Sequence, residues 1–293
     1  MGGLSFSDRA ARSAWRIFPK RALSGAIGWG AGRTLPKALR AAMLTRFARI
    51  YGIDPSSAEK PIGEYSGFDD FFTRKLREGS RPIDTTPGGV VSPADGKVVE
   101  SGLIDEGKLF QAKGALFSLE ELLGDAGYAS RLEGGAFLIT YLSPMDYHRV
   151  HSPVGGRVIG WRHIPGVLFP VNTRSVRREP RLFVGNERFV TFIESEAGLA
   201  VVVMVAAVGV GHVTASYDDE VATHRSSFLK AGVRHRTYDA PRPIARGGEL
   251  GIFHLGSTTI IAFEPKRVVL DSFEAGSGMK MGVRIGRMTG QGA

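Results

Sequence analysis

The chain has 293 residues, 43% of them hydrophobic, which is enough for one large domain or two small ones with a buried core. It contains no cysteine, so disulfides, thiolate nucleophiles and cysteine-bound metals are excluded, and its chemistry must use oxygen and imidazole groups. Most of the net charge of +9 belongs to the N-terminus, because residues 1–50 hold ten Lys or Arg against one acid, while the remaining 28 basic and 28 acidic residues cancel. This placement favours an anionic membrane, and not nucleic acid, as the partner of the basic segment.

Two basic amphipathic helices are expected in this N-terminal segment, over residues 8–18 and after Pro36, joined by a glycine-rich bend at 25–32. The apolar stripe of the second helix consists of Leu39, Met43, Phe47, Ile50 and Tyr51. Such helices suit a lipid interface, where a basic residue near anionic headgroups adds roughly 1 kcal/mol. The alternative is that they pack on the body of the protein and leave their charges in water.

The expected location is peripheral, on the cytoplasmic face of the cell membrane. No stretch reaches the roughly 18 apolar residues that a spanning helix needs, and the N-terminus lacks the apolar core and cleavage site of a secretory signal. The longest apolar run, residues 199–211, is rich in valine and is interpreted as a buried strand.

The rest of the chain predicts an α+β fold. A third helix is expected over residues 66–77, with Phe68, Phe71, Phe72 and Leu76 on its apolar face. Beyond residue 90 the sequence consists of short β-branched runs separated by Gly and Pro, which are typical of strands, at 96–99, 136–142, 189–193 and 200–210. One clear helix is expected at 118–123. We therefore expect a β-rich core of mixed or antiparallel sheets preceded by the helical segment, with residues 1–65 associating with membranes and residues 66–293 forming the catalytic domain.

One short pattern occurs twice. Residues 92–98 and 152–158 share the order Ser, Pro, two variable residues, Gly, a basic residue and Val. Pro followed by Gly and a β-branched run is a turn that enters a strand. Because one copy contains Asp95 and the other follows His151, the two turns would bring these side chains to one place.

A serine next to a glycine is the first candidate for a nucleophile. Ser257 follows Gly256 inside an apolar run, and a serine is a poor nucleophile unless a base takes its proton. Among seven histidines, His148 and His151 form the only close pair. Pro144 before the pair and Pro153 with Gly155 after it argue for a loop or a strand end, and no carboxylate cluster accompanies the pair, so no metal is expected. Spacing alone leaves a Ser-His-Asp arrangement open, because such triads are recognised by geometry.

Three stretches together carry a resemblance: the sequence Leu-Gly-Ser-Thr at 255–258, residues 147–153 and residues 92–96. They resemble the phosphatidylserine decarboxylase proenzyme family, whose hallmark is the L-G-S-T motif. Further segments look like family sequence in family order, and the resemblance covers roughly residues 60–275. These segments are residues 68–72 with Arg74, residues 81–84, 171–172, 182–183, 186–188, and 248–249 with Gly251 and Phe253.

The resemblance implies self-cleavage. Ser257 Oγ would attack the Gly256 carbonyl and convert the peptide bond to an ester, with His151 as general base and Asp95 holding the tautomer of His151. Elimination and hydrolysis would then leave a pyruvoyl group where Ser257 was. The chain would separate at Gly256-Ser257 into a beta chain, 1–256, and an alpha chain, 257–293.

The resemblance also implies the reaction. The pyruvoyl group would form a Schiff base with the amine of phosphatidylserine, allow loss of CO2 and release phosphatidylethanolamine, with no metal and no pyridoxal phosphate. His148 is the candidate for proton transfer or for contact with the substrate carboxylate. A dimer of the alpha and beta chains is a further implication.

Three alternatives stay open from the residues themselves. The first is a serine hydrolase that uses Asp95, His151 and Ser257 in every turnover. The second is a membrane-binding scaffold whose basic helices are its whole function. The third is a pyruvoyl decarboxylase of a soluble amino acid, which would have no use for residues 1–50.

Overall fold

The computed structural model describes residues 36–112, 115–171, 175–176, 179, 181–207, 212–223, 232–254 and 257–290. The expected helix at 8–18 and the bend at 25–32 lie outside the described residues. Within them, the helices are α1 (Lys37–Tyr51), α2 (Phe68–Phe72), α3 (Leu119–Leu123), α4 (Ala126–Arg131) and α5 (Leu182–Gly185), with 3-10 turns at Pro55–Ser57 and Ile62–Glu64. No helix among these residues is long and apolar enough to cross a membrane.

Helix α1 forms where the sequence predicts it, but its contact face differs from the predicted stripe. Leu44 and Ala48 are the buried residues, and they join a small apolar cluster with Tyr65 and Phe71. The stripe residues Leu39, Met43, Ile50 and Tyr51 are exposed, and Phe47 is half-buried against the rings of Tyr51 and Phe68. The helix therefore packs through a neighbouring face and presents most of its large apolar side chains to the outside.

The helix predicted over residues 66–77 is wrong beyond Phe72. Helix α2 ends there, and the backbone of the residues that follow pairs with an earlier segment. Arg77 N donates to Ser57 O at 2.9 Å, and Glu59 N donates to Lys75 O at the same distance. These long-range hydrogen bonds replace the helical ones that the apolar spacing had suggested.

Seventeen strands form among the described residues, and every pairing between them is antiparallel. They are β1 (Gly89–Val91), β2 (Gly96–Leu103), β3 (Lys108–Ala112), β4 (Ala115–Ser118), β5 (Ala136–Leu142), β6 (Arg149–His151), β7 (Gly156–Ile164), β8 (Arg188–Ser195), β9 (Gly198–Ala206), β10 (Val213–Ala215), β11 (Asp218–Ala222), β12 (Arg234–Ile244), β13 (Glu249–Phe253), β14 (Ser257–Phe263), β15 (Val268–Leu270), β16 (Gly278–Met279) and β17 (Arg284–Met288). The β-rich α+β fold is confirmed, including the predicted buried strand β9.

An eight-stranded sheet in the order β12-β7-β8-β9-β14-β5-β2-β16 organises the molecule. Successive side chains of a strand point to opposite faces, and β14 shows this: Ile261 and Phe263 join one apolar cluster while Ile260 and Ala262 join another. The first face is covered by the sheets β11-β10-β13-β6 and β1-β17-β15, and the second by α3, α5 and the hairpin β3-β4. Burial on both faces explains why the central strands read as continuous apolar runs.

Candidate active site

Ser257 is the first residue of β14, a central strand of the large sheet. It is paired with Leu142 of β5 on one side and Ala206 of β9 on the other. The side chain is fully buried, and its Oγ has no hydrogen-bond partner. By the period of two, Ser257 points to the same face as Ile261 and Phe263, the face that packs against β6 and β13. The hydroxyl is thus a buried polar group held on a rigid element.

The last strand before Ser257 and the strand that Ser257 begins belong to different sheets. Strand β13, which ends at Phe253, belongs to the four-stranded sheet, and β14, which begins at Ser257, belongs to the eight-stranded sheet. Phe253 N donates to His148 O at 2.9 Å, which joins the end of β13 to the histidine pair. Ser257 therefore lies four residues after the end of a strand in a second sheet, and both sheets are fixed by strand pairing.

His151 ends β6, opposite Glu249 of β13. Its side chain is buried, its ring stacks on Tyr147 with centroids 5.6 Å apart, and its Nδ1 has no hydrogen-bond partner. Burial lowers the pKa of His151, and the negative charge of Glu249 opposes the shift only in part. The neutral imidazole is the form that a general base requires.

The two Ser-Pro turns lie side by side. Each serine hydroxyl bonds the carbonyl two residues later, Ser92 to Ala94 at 2.8 Å and Ser152 to Val154 at 2.6 Å. The turns also exchange backbone hydrogen bonds, from Val91 N to Pro153 O at 2.9 Å and from His151 N to Pro93 O at 2.8 Å. This reciprocal pairing puts the segment that carries Asp95 against the segment that carries His151.

Asp95 is held by other partners. Arg81 binds its carboxylate through two bonds, Nε to Oδ1 at 2.8 Å and Nη2 to Oδ2 at 2.5 Å, while Lys280 Nζ lies 3.3 Å from Oδ2. The backbone N–H of Met281 donates to Oδ1 at 2.9 Å. Burial raises the pKa of Asp95, but these hydrogen bonds and charges outweigh it, so the pKa is lowered overall.

The three expected triad residues are therefore all buried in one region, but the hydrogen bonds of a triad are not formed among them. The carboxylate oxygens of Asp95 accept hydrogen bonds from Arg81, Lys280 and Met281. His151 Nδ1 and Ser257 Oγ have no hydrogen-bond partner. Catalytic hydrogen bonds are often absent from structures without bound reactants and form only in the reacting complex.

His148 is the most deeply buried histidine of the pair. Its Nδ1 lies 2.8 Å from the Asp146 carbonyl, and since a carbonyl only accepts, Nδ1 carries the proton. Nε2 is then a bare lone pair, buried and without a partner. The ring packs on Phe72 of α2 at 3.9 Å between centroids. Burial lowers the pKa of His148 to about 3, so the ring is neutral.

Comparison with known proteins decides the family. The sequence model of the family described as phosphatidylserine decarboxylase matches residues 68–287. The chain is 42% identical over 284 residues to a phosphatidylserine decarboxylase proenzyme of Myxococcus xanthus (strain DK1622), covering 97% of this chain and 100% of that protein. The chain belongs to the phosphatidylserine decarboxylase family. A proenzyme of the same name from Anaeromyxobacter sp. (strain K) is 45% identical over 265 residues, covering 90% of this chain and 93% of that protein.

A third relative extends the comparison beyond these two genera. The phosphatidylserine decarboxylase proenzyme of Bordetella bronchiseptica (strain ATCC BAA-588 / NCTC 13252 / RB50) is 40% identical over 272 residues, covering 90% of this chain and 89% of that protein. The resemblance noted from the motifs is confirmed by these matches. The word proenzyme in the relatives' names describes proteins made as precursors.

The structure of this phosphatidylserine decarboxylase family member also reveals residues that the sequence analysis missed. His254 Nδ1 lies 2.9 Å from both carboxylate oxygens of Asp69, and its ring stacks on His212 at 3.9 Å with an interplanar angle of 9°. The only signal in the sequence was that His254 directly precedes the L-G-S-T motif. Arg81 was likewise noted as family sequence without a role, and its contact with Asp95 is seen only in three dimensions.

Metal-ligand types do not cluster in the described part of the chain. No group of three or more His, Cys, Asp or Glu side chains is arranged there to hold a metal ion. The close histidine pair itself uses His148 Nδ1 for the Asp146 carbonyl.

Proposed function

We propose that this protein is a phosphatidylserine decarboxylase that first cuts its own chain at Gly256-Ser257 and then converts phosphatidylserine to phosphatidylethanolamine and CO2. The observation that carries the proposal is the family match over residues 68–287, which includes Ser257 with its buried and unpartnered hydroxyl. The relatives' names, which pair the decarboxylase with a proenzyme, support maturation by cleavage.

In the proposed maturation Ser257 Oγ attacks the Gly256 carbonyl, and His151 takes the hydroxyl proton. The low pKa of the buried His151 and its free Nδ1 support this role. Asp95 is proposed to orient His151 and to stabilise its imidazolium, which requires one Asp95 oxygen to exchange a present partner for His151. The ester then eliminates across the Cα–Cβ bond of Ser257, which breaks the Cβ–Oγ bond and separates chain 1–256, ending in the Gly256 carboxylate, from chain 257–293. Hydrolysis of the dehydroalanine left at residue 257 then releases ammonia and leaves the pyruvoyl group.

The residues around position 257 fit a pyruvoyl group. The position is fully buried at the start of a paired strand, and two buried nitrogens without hydrogen-bond partners, His148 Nε2 and His151 Nδ1, belong to the adjacent segment. A pyruvoyl group at residue 257 would supply the electron-withdrawing carbonyl that pyridoxal phosphate supplies in other decarboxylases. Strand β14 would hold it through the backbone pairing of residue 257 with Leu142 and Ala206.

His148 is proposed to contact the substrate amine during the proton-transfer steps of the reaction. Because Nδ1–H is committed to the Asp146 carbonyl, Nε2 can only accept, and burial keeps the pKa at about 3. A nitrogen with so low a pKa is too weak a base to deprotonate an ammonium, so it would accept a hydrogen bond from an amine that has already lost its proton to water. The free amine is the form that reacts with a carbonyl carbon.

The proposed location is the cytoplasmic face of the cell membrane, with helix α1 on the lipid. Its exposed apolar residues Leu39, Met43 and Ile50 are accompanied by exposed Arg46 and Arg49. A lipid substrate keeps its acyl chains in the bilayer, so the enzyme must bring its site to headgroup level. An exposed apolar face with flanking arginines meets this need. The dimer implied by the resemblance stays a prediction.

The test of the cleavage uses intact mass and a denaturing gel. The wild-type protein is expected as two chains, the shorter one with a blocked N-terminus, and Ser257→Ala is expected as one whole chain. Phosphatidylserine vesicles incubated with the wild type should yield phosphatidylethanolamine and CO2, and Ser257→Ala should yield neither. A whole wild-type chain with esterase activity would establish the serine hydrolase instead, and activity on free amino acids alone would establish the soluble decarboxylase.

The membrane proposal has its own test, flotation with vesicles that contain anionic lipid. Leu39→Ser with Ile50→Ser should reduce the bound fraction. The matched control is Leu103→Ser with Val269→Ser, two apolar residues that are exposed on β2 and β15. Equal binding by both double variants would refute the role of α1 and leave the decarboxylase proposal intact.

A further inference from the structure

Arg74, which follows helix α2, is a buried cation without a carboxylate partner. The residue is only 4% exposed. Its Nη2 donates to Met145 O at 3.2 Å, and Nη1 lies 3.5 Å from Phe71 O. None of the ion pairs among the described residues includes it, and its buried Nε has no hydrogen-bond partner there. Because buried charges are normally paired, this guanidinium has the capacity to bind an anion.

Neighbouring arginines differ from Arg74 in this respect. Arg81 is the bidentate partner of Asp95, and Arg149 pairs with Glu249 at 2.8 Å. The charges of these two arginines are therefore balanced by carboxylates of the protein itself. Arg74 brings a positive charge into the same region with only backbone oxygens and an aromatic ring around it.

The segment that ends in Arg74 packs against the segment of the histidine pair. The ring of Phe72 lies on that of His148 with centroids 3.9 Å apart, and Thr73 O accepts from Arg149 Nε at 2.9 Å. The bond from Arg74 to a backbone carbonyl continues this row of contacts. Burial lowers the pKa of His148, and the positive charge of Arg74 adds to that shift, so the two side chains lie within electrostatic range.

The contact with Met145 also joins Arg74 to the strand beside Ser257. Met145 belongs to the connection 143–147, which begins directly after Leu142, the partner of Ser257 in β5. Three residues separate Leu142 from Met145, so their Cα atoms are at most about 11 Å apart. Arg74 is therefore held against the connection that leaves the neighbourhood of the cleaved residue.

On its other side Arg74 is linked to helix α1. The guanidinium carbon lies 5.3 Å from the centroid of the Phe71 ring, and Phe71 shares an apolar cluster with Leu44 and Ala48 of α1. The contacts thus run from the proposed lipid-binding helix through Phe71 and Arg74 to the segment of the histidine pair. Met145 is 47% exposed, so the guanidinium lies one residue below the surface.

Phosphatidylserine presents its chemical groups in the same order. Its acyl chains stay in the bilayer, its phosphodiester comes next, and the serine amine and carboxylate are farthest from the chains. We infer that Arg74 binds the phosphodiester of phosphatidylserine, an inference that rests on the proposed function. A guanidinium suits this ligand because its planar N–H donors match the oxygens of a phosphate.

The carboxylate of the substrate is the poorer ligand for such a cation. It leaves as CO2, and a cation bound to it would stabilise the charged ground state and oppose its loss. The phosphodiester keeps its charge from substrate to product, so a bond to it stabilises every state of the reaction equally. Loss of an interaction of this kind raises KM and leaves kcat unchanged.

The experiment measures turnover of dihexanoyl phosphatidylserine, whose short chains keep it in solution, so that vesicle binding does not enter KM. Intact mass first shows whether Arg74→Met and Arg74→Gln are cleaved like the wild type. We expect cleaved variants with KM higher by about 10- to 100-fold, as for loss of a hydrogen bond to a charged group, and kcat within about two-fold of the wild type.

The matched control is Arg77→Met, which should keep the wild-type KM. Arg77 lies in the same segment and also donates to a backbone carbonyl, that of Ala58 at 3.0 Å, but it is exposed.

A second measurement uses the product and separates the two anionic groups of the substrate. Dihexanoyl phosphatidylethanolamine keeps the phosphodiester and has no carboxylate. Its Kd for the mature protein, measured by isothermal titration calorimetry, should rise in Arg74→Met by the same factor as KM. This readout does not depend on turnover.

Each outcome supports or overturns the inference. A cleaved Arg74→Met with the wild-type KM would overturn it, and so would a raised KM with an unchanged product Kd, because that result would place Arg74 at the carboxylate. If Arg74→Met stays uncleaved, Arg74→Gln, which keeps a donor for Met145 O, decides by the same two measurements. Two uncleaved variants would overturn the inference by assigning Arg74 to folding or maturation. A wild-type protein that makes no phosphatidylethanolamine would refute the proposed function itself.

Discussion

Replacing Arg81 by methionine tests how the structure keeps Asp95 charged. Arg81 is the bidentate partner of a carboxylate that is only 1% exposed, and methionine keeps much of its length without charge or donors. After the change Asp95 retains Lys280 Nζ at 3.3 Å and Met281 N at 2.9 Å. Burial, which raises the pKa of Asp95, would then be opposed by fewer hydrogen bonds, so its pKa should rise.

The expected magnitude follows from this geometry. Removing one partner of a buried ion pair costs about 3–5 kcal/mol. Because Arg81 is 19% exposed and two donors to Asp95 remain, we expect the lower end, about 3 kcal/mol at pH 7. In the wild type the lowered pKa of Asp95 contributes stability above pH 3.8 that is lost as the pH falls below it, and Arg81→Met should lack most of that contribution.

The assay is urea unfolding in the Ser257→Ala background, which is expected to keep the chain whole. Arg131→Met is the matched control, because Arg131 bridges Glu194 and Glu264 with its side chain 40% exposed, and such surface pairs contribute about 0.5 kcal/mol. With Ser257 restored, Arg81→Met should also slow self-cleavage, since Asp95 loses the bidentate partner that fixes its carboxylate and favours its ionised form. Equal losses of unfolding free energy in the two variants would refute the argument.

Three other substitutions test local features. Gly96→Ala should prevent folding or cleavage, because its Cβ would lie 2.2 Å from Tyr141 O at a φ of +153°, and circular dichroism with a denaturing gel would show it. His148→Gln should make the free energy of unfolding less dependent on pH. The wild-type ring has a pKa of about 3 in the folded protein and 6.5 in the unfolded chain, so the wild type should lose about 2 kcal/mol of unfolding free energy between pH 7 and pH 5. Thr140→Val should stabilise by about 1 kcal/mol in urea, because it removes a buried hydroxyl without a partner; a loss would show that the hydroxyl is used.

The sequence by itself determined the elements whose signal is local. Strand β5 has the predicted bounds, 136–142, because its β-branched run is bounded by turn residues. Helix α3 begins after Ser118, whose hydroxyl accepts from Glu121 N as the predicted start of that helix implies. The repeated Ser-Pro pattern predicted two turns that meet, and the paired backbone bonds of Val91 and His151 confirm it.

Tertiary structure decided the rest, because it depends on residues that are far apart in the chain. The helix expected to residue 77 ends at Phe72, since a segment near residue 58 supplies competing backbone partners. Asp95 is bound by Arg81, 14 residues before it, and His254 by Asp69, 185 residues before it. Periodicity in the sequence shows which face of an element is apolar, whereas the pairing of charged residues depends on the path of the whole chain. The L-G-S-T motif therefore located Ser257, and only the fold showed which side chains hold Asp95 and His254.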